Sequence, residues 1–253
     1  MLPDLTLMEA DARDGADVRA EPADLPERMD APCTYEEFRA CLRDLRRCNR
    51  LTQAYRPTIE FLDRAAARGR LPKPLRILDV GSGGGDTLRE VARWARRRGI
   101  AVELTGIDLN PYAARAAVEF GAKDSPAQEI RWVTGDVLGY APPEGTDLVL
   151  SSLVAHHLSS AEVVRFIAWM EQHAELGWFV NDLRRSARAA FWLRLLALAM
   201  RWHPFVVHDG PVSLRRAFRE DDWRRLLAAA GLEPDAATVE EHAMARLCVA
   251  RLR

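Results

Sequence analysis

Three evenly spaced aspartates, a glycine loop and a histidine pair are the residues of this chain best suited to chemistry. Asp79, Asp108 and Asp136 stand 29 and 28 residues apart, the interval that one strand–helix–strand unit per step requires. Glycines occupy positions 81, 83, 84 and 85, ahead of Asp86. Without a Cβ, the backbone at such a loop can come into contact with a bulky ligand. Asp79 and the loop carbonyls are acceptors and suit a cationic group, whereas a phosphate would want a nest of N–H donors. A carboxylate at 108 can accept both hydroxyls of a ribose. His156 and His157 follow the apolar run Asp147–Ser152 by a few residues, and an imidazole that titrates near 6.5 is available as a base at neutral pH.

The elements that must position these groups can be read from periodicity and punctuation. A strand over 75–80 leads into a helix over 85–98 stopped by Gly99, then a strand over 101–107 and a helix from near Pro111. Strands over 130–134 and 147–152, a helix over 160–173 and a strand over 176–181 follow. A helix over 220–230 ends at Gly231, and 232–240 with 243–252 reads as an antiparallel hairpin. Strands alternating with helices predict an α/β fold, a mostly parallel sheet covered on both faces. Upstream, Thr34–Glu37 is a capping box opening a helix with Phe38, Cys41, Leu42 and Leu45 on one face. A second helix over 57–68 precedes Leu71-Pro-Lys-Pro74, the expected domain boundary. The organisation is then an acidic disordered leader over 1–30, a helical cap over 31–74, and the main domain over 75–253 with an insertion at about 184–218.

Composition narrows the function classes. With 253 residues, 48% of them hydrophobic, the chain can build one full α/β domain. A net charge of −1 provides no global field for nucleic acid or an anionic membrane. The charge is uneven, since residues 1–30 hold nine acids against three arginines. Cys33, Cys41, Cys48 and Cys248 have no C-x-x-C spacing, so no metal site is expected and a reducing, cytoplasmic setting is. The longest apolar segment, Ala189–Trp202, is interrupted by Arg194 and Arg201 and falls short of the roughly 20 residues that span a bilayer.

The run Asp79-x-Gly81-x-Gly83-x-Gly85 resembles the first motif of the class I S-adenosylmethionine-dependent methyltransferases. Asp86 stands where a dinucleotide-binding loop would have its third glycine, which counts against a nicotinamide enzyme. The resemblance implies a Rossmann-like seven-stranded sheet with one reversed strand, the last, and S-adenosyl-L-methionine as cofactor. It implies that Asp136 takes the adenine amino group and the Val137 N–H a ring nitrogen, while Asp108 holds the ribose. Cofactor contacts are expected from Asp79, Gly81, Ser82, Gly83, Gly85, Asp108, Leu109, Asp136, Val137, Ser152 and Leu153.

His156 lies nine residues after Asp147, a layout similar to small-molecule O-methyltransferases of the plant phenolic type. The match is partial, because His157-Leu158 stands where an Asp-Trp pair follows in those enzymes. Either histidine is a candidate base; otherwise one caps the next helix and the other packs. Asn181, Asp182 and Arg184 are candidate acceptor-side residues, with helix capping the other role open to Asp182. Segment 189–202 reads as an apolar lid over the acceptor or as a core or dimer helix. Ser151-Ser-Leu-Val154 lacks the N/D-P-P-Y of nucleic-acid methyltransferases. The expected function is methylation of a small hydrophobic or aromatic acceptor, on oxygen, by a monomer or homodimer. C- or N-methylation and a non-catalytic cofactor-binding subunit are the alternatives.

Overall fold

A computed structural model of the chain describes residues 22–23, 25–69, 71–122 and 130–253. Its centre is a seven-stranded sheet in the order β3-β2-β1-β4-β5-β7-β6. The strands are β1 Leu75–Val80, β2 Val102–Asp108, β3 Ile130–Thr134, β4 Thr146–Ser152, β5 Ala174–Leu183, β6 Thr238–His242 and β7 Arg246–Leu252. The β1 to β5 pairings are parallel, and β7 is antiparallel to both its neighbours. The predicted hairpin is present, with β6 starting later than expected. Strand order reverses at β1, which lies between β2 and β4, so the ligand crevice of an open α/β sheet belongs above its carboxyl end.

Alternation along β1 explains the two covered faces. Leu75 and Ile77 are buried against Phe61, Leu62, Leu88 and Trp94 from α2 (Arg56–Ala67) and α3 (Asp86–Arg98). Leu78 and Val80 point the other way, into Val163, Phe166 and Trp223 from α5 (Ser160–His173) and α8 (Glu220–Ala229). Helix α3 starts after Gly85 at φ 73° and ends at Gly99 at φ 65°, both left-handed. Asp86 in its first turn and Arg96, Arg97 and Arg98 in its last complement the helix dipole.

Two outer groups complete the site. Helix α1 (Tyr35–Leu51), opened by the Thr34–Glu37 capping box, packs Tyr35 and Phe38 on Ala113 and Ala116 of α4 (Ala113–Gly121). Helices α6 (Ala187–Ala199) and α7 (Pro204–Arg216) join α1 through Cys41, Ala197, Trp202 and Val206. Helix α6 is not a core helix, since Phe191, Trp192, Leu195 and Leu198 are exposed. Among the described residues no helix is long and apolar enough to cross a membrane.

Most of the expected leader, residues 1–21 and 24, lies outside the described residues, whereas residues 27–29 are held against α7. Glu27 is buried, and both oxygens of Asp209 accept from the Arg28 and Met29 N–H groups at 3.0 Å. Distant polar partners, not local apolar content, fix this segment in place.

Phe61 stacks on Phe179 of β5 with ring centroids 4.7 Å apart and carries α2 onto the sheet. Phe61→Ala should cost about 3–5 kcal/mol of stability, read as a lowered urea midpoint; a midpoint equal to wild type would remove this contact from the core.

Candidate functional site

A cavity of about 1270 Å³ opens over the carboxyl ends of β1, β2 and β4, roofed by α1, α7 and residues 27–33. Such a volume exceeds that of most single-ligand sites, so it has room for a cofactor and an acceptor together. Its floor is the glycine loop. The Gly81 and Ser82 N–H groups both donate to the Ile107 carbonyl, which pins the loop to β2. A Cβ at Gly81 would lie 2.2 Å from Val154 Cγ2, and one at Gly85 2.3 Å from Trp132. At Gly83, φ 49°, the nearest side chain is Leu42 at 3.5 Å, itself a cavity wall. Gly81 and Gly85 therefore serve packing, and Gly83 keeps the cavity open.

Asp79 is fully buried beneath this loop, and its Oδ1 has no hydrogen-bond partner. Burial, then the neighbouring charges of Asp86 and Asp108, push its carboxyl well above the usual range. A buried acceptor of that kind calls for a cation. Asp108 closes β2 and accepts from the Gly83 N–H at 2.7 Å and the Asn110 N–H at 2.8 Å. Burial raises its pKa against those two donors. Leu109, 74% exposed although apolar, and Val137 offer flat surface beside Asp136, whose Oδ1 accepts from the Leu138 N–H. Acceptors for an ammonium and a diol, with apolar walls beside them, fit the donor set of S-adenosylmethionine.

Beyond β4 the backbone turns sharply at Leu153, whose φ of 61° is unusual for a branched side chain. The turn Ala155–His157 then delivers both histidines. His156 is buried, with Nδ1 2.6 Å from Asp182 Oδ1 and its N–H donating to Oδ2 at 3.0 Å. The Leu183 N–H adds a third donor to Asp182. Burial alone would raise the Asp182 pKa; His156 and these donors hold it below the usual carboxylate value. With Nδ1 engaged, His156 turns Nε2 toward Glu27 Oε1, 3.8 Å away. His157 sets Nδ1 3.2 Å from Asp30 and Nε2 3.7 Å from Glu27 Oε2. Burial depresses its pKa, but the Asp30 hydrogen bond and the Glu27 charge outweigh that and raise it.

Of the expected residues, Gly81, Ser82, Gly83, Asp108, Leu109, Asp136, Val137, Ser152, Leu153, His156 and His157 all line the cavity, while Asp79 and Gly85 are not among its lining residues. Asn181 and Arg184 do not reach it. Strand β5 runs to Leu183, so Asn181 and Asp182 point to opposite faces of the sheet. Asn181 bonds the Ala54 carbonyl and Thr58 of the α2 side, and Arg184 pairs with Glu241 at the sheet edge. Asp182 orients His156 and caps no helix; Ser186 caps α6, and Ser159 caps α5. Sequence reasoning missed Glu27, Asp30, Ser213 and Arg216. Ser213 Oγ donates to Glu27 at 2.9 Å, while Arg216 donates to the carbonyls of Leu25, His156 and His157. The long run of acids around Glu27 hid its special partners.

Residues 77–177 match the family described as a methyltransferase domain. No curated protein sequence matches the chain. Among solved structures, human N-acetylserotonin methyltransferase in complex with S-adenosylmethionine superposes with a TM-score of 0.60 at 15% identity, over 87% of this chain and 56% of that one. Magnesium protoporphyrin IX methyltransferase from Synechocystis PCC 6803, with bound S-adenosylmethionine, gives a TM-score of 0.53 at 14% identity, over 100% and 98%. The chain spans about half the length of the first structures it resembles. At these identities the likeness is one of fold.

Two tests follow from the floor of the cavity. Gly83→Ala should cost about 1–2 kcal/mol for its left-handed backbone yet abolish measurable binding of S-adenosylhomocysteine; unchanged affinity would remove the loop from the cofactor site. Asp79 carries more proton in the free protein than beside a cation, so binding should release protons. Calorimetry in two buffers of different ionisation enthalpy reads this, and equal heats or proton uptake would contradict it.

Proposed function

We propose that this chain, whose residues 77–177 match a methyltransferase domain, uses S-adenosylmethionine to methylate an oxygen of a small, largely apolar acceptor, with His156 taking the proton. When bound, S-adenosylmethionine supplies a methyl group already activated as a sulfonium. The residues that would hold it are Asp79 and the loop at its amino-acid end, Asp108 at the ribose, and Leu109, Asp136 and Val137 at the adenine. The protein's remaining tasks are to orient the acceptor and to handle its proton.

The observation that carries the reading is the 2.6 Å contact between His156 Nδ1 and Asp182. A neutral His156 that donates from Nδ1 to this carboxylate keeps Nε2 as an acceptor, on a residue that borders the cavity. A hydroxyl seated against Nε2 passes its proton there as the oxygen attacks, and the imidazolium formed lies between the carboxylates of Asp182 and Glu27. A base placed by a buried carboxylate is the arrangement an alcohol or phenol requires, since neither ionises at neutral pH unaided. Apolar side chains dominate the acceptor half of the cavity, with Phe38, Leu45, Phe166, Leu193 and Val206 on its walls. Leu193 is a contribution of α6, which supports the lid reading of that helix.

His156→Ala and Asp182→Asn should each lower kcat by about 10²–10⁴ while S-adenosylhomocysteine binds as in wild type. Methyl-labelled S-adenosylmethionine and a panel of phenols, quinols and amines provide the assay. Undiminished turnover in His156→Ala, or methyl groups recovered only on nitrogen or carbon, would overturn the reading.

A further inference from the structure

We propose that Glu27, His156 and His157 form a site for a first-row divalent cation of the zinc type, and that occupancy withdraws His156 Nε2 from service as a base. The second half rests on the function proposed above; the first stands on geometry alone. Among the described residues this is a group of three whose ligand atoms all lie within 4.8 Å of one another. Glu27 faces both imidazoles at once, one oxygen 3.8 Å from His156 Nε2 and the other 3.7 Å from His157 Nε2. Ligands about 2.0–2.1 Å from a tetrahedral zinc stand roughly 3.3 Å apart, so each of these two carboxylate–imidazole pairs lies within about half an ångström of that spacing.

Three features separate this cluster from a chance meeting of polar groups. Each histidine already gives Nδ1 to its own carboxylate, His156 to Asp182 at 2.6 Å and His157 to Asp30 at 3.2 Å. That arrangement fixes both Nε2 atoms as the free ligands, which is how metal-binding imidazoles are oriented. The Glu27 carboxylate in turn accepts from Ser213 Oγ at 2.9 Å, as ligating carboxylates do. Glu27 and His156 are buried, yet all three residues border the cavity, so three protein ligands leave an open position on its side. Arg216 opposes with Nη1 3.9 Å from Glu27, but its other nitrogens are turned onto the carbonyls of His156 and His157. Two imidazoles and one carboxylate suit zinc, cobalt or nickel; magnesium and calcium would want oxygen throughout. The proposal runs against the expectation from cysteine spacing, because Glu27 stands about 130 residues before the two histidines in the sequence.

The test uses the full chain, stripped of metal and titrated with Co2+ and then Zn2+. One Co2+ per chain with visible ligand-field bands, displaced by Zn2+, is expected. Glu27→Gln and His157→Ala should each weaken it at least tenfold, and Asp30→Asn, which touches no cation, by about 10–100-fold. S-adenosylhomocysteine affinity, read on each variant, reports that the fold is intact. Sub-stoichiometric binding, or binding indifferent to Glu27→Gln and His157→Ala, overturns the site. In the methyl-transfer assay, Zn2+ should suppress turnover and a chelator should restore it. Turnover that rises with bound Zn2+ overturns the inhibitory half and the base assignment together. No turnover at all, with Co2+ bound as expected, counts against the proposed reaction and leaves the site standing.

Discussion

A carboxylate with almost no access to solvent organises the reactive end of this molecule. Asp182 lies inside β5 and is 2% exposed, where an unpaired charge would be costly. Its oxygens are satisfied by the His156 imidazole, the His156 N–H and the Leu183 N–H. Removing any of these would leave a buried charge partly unmet, so the turn that carries His156 is held by the same constraint that keeps the sheet folded. The orientation of His156 is thus a consequence of satisfying Asp182.

The second tie runs through α7. Asp209, Ser213 and Arg216 stand on successive turns of one helix and join two parts of the chain, residues 25–29 and the histidine turn. Asp209 fixes the backbone of residues 28 and 29, Ser213 fixes Glu27, and Arg216 holds the carbonyls of the histidine turn. A segment with little apolar content is thereby closed over a cavity otherwise built from strand ends. Charge-assisted hydrogen bonds of this kind are stronger than neutral ones and directional, which suits them to positioning where packing offers little.

The candidate cofactor half of the cavity was legible because it is local. The glycine loop and Asp136 follow strands and Asp108 ends one, and strand periodicity is visible over five to seven residues. The same applies to the capping boxes at Thr34 and Ser159 and to the closing hairpin. The acceptor half is assembled from residues 26 to 186 positions apart, and no periodic signal marks such pairs. Glu27 reads as one more acid in an acidic run. Strand β5 continues two residues beyond the expected end at 181, so Asn181 lies within the strand and not in the loop that would face the crevice. Asn181 instead anchors α2, and Arg184 the sheet edge.

The two adjacent histidines illustrate how one dipeptide acquires two roles. His156 takes its partner from the central sheet, and that partner is buried and rigidly hydrogen-bonded. His157 takes Asp30, a partly exposed carboxylate on the segment that α7 holds down. His156 therefore keeps its orientation whatever happens at the roof, whereas that of His157 depends on the roof being closed. Glu27 links them, since its two oxygens face one imidazole each. Any group that draws on Glu27, whether an imidazolium formed during proton transfer or a cation, is felt by both rings. The roof and the His156 ring are in this way coupled through a single buried carboxylate.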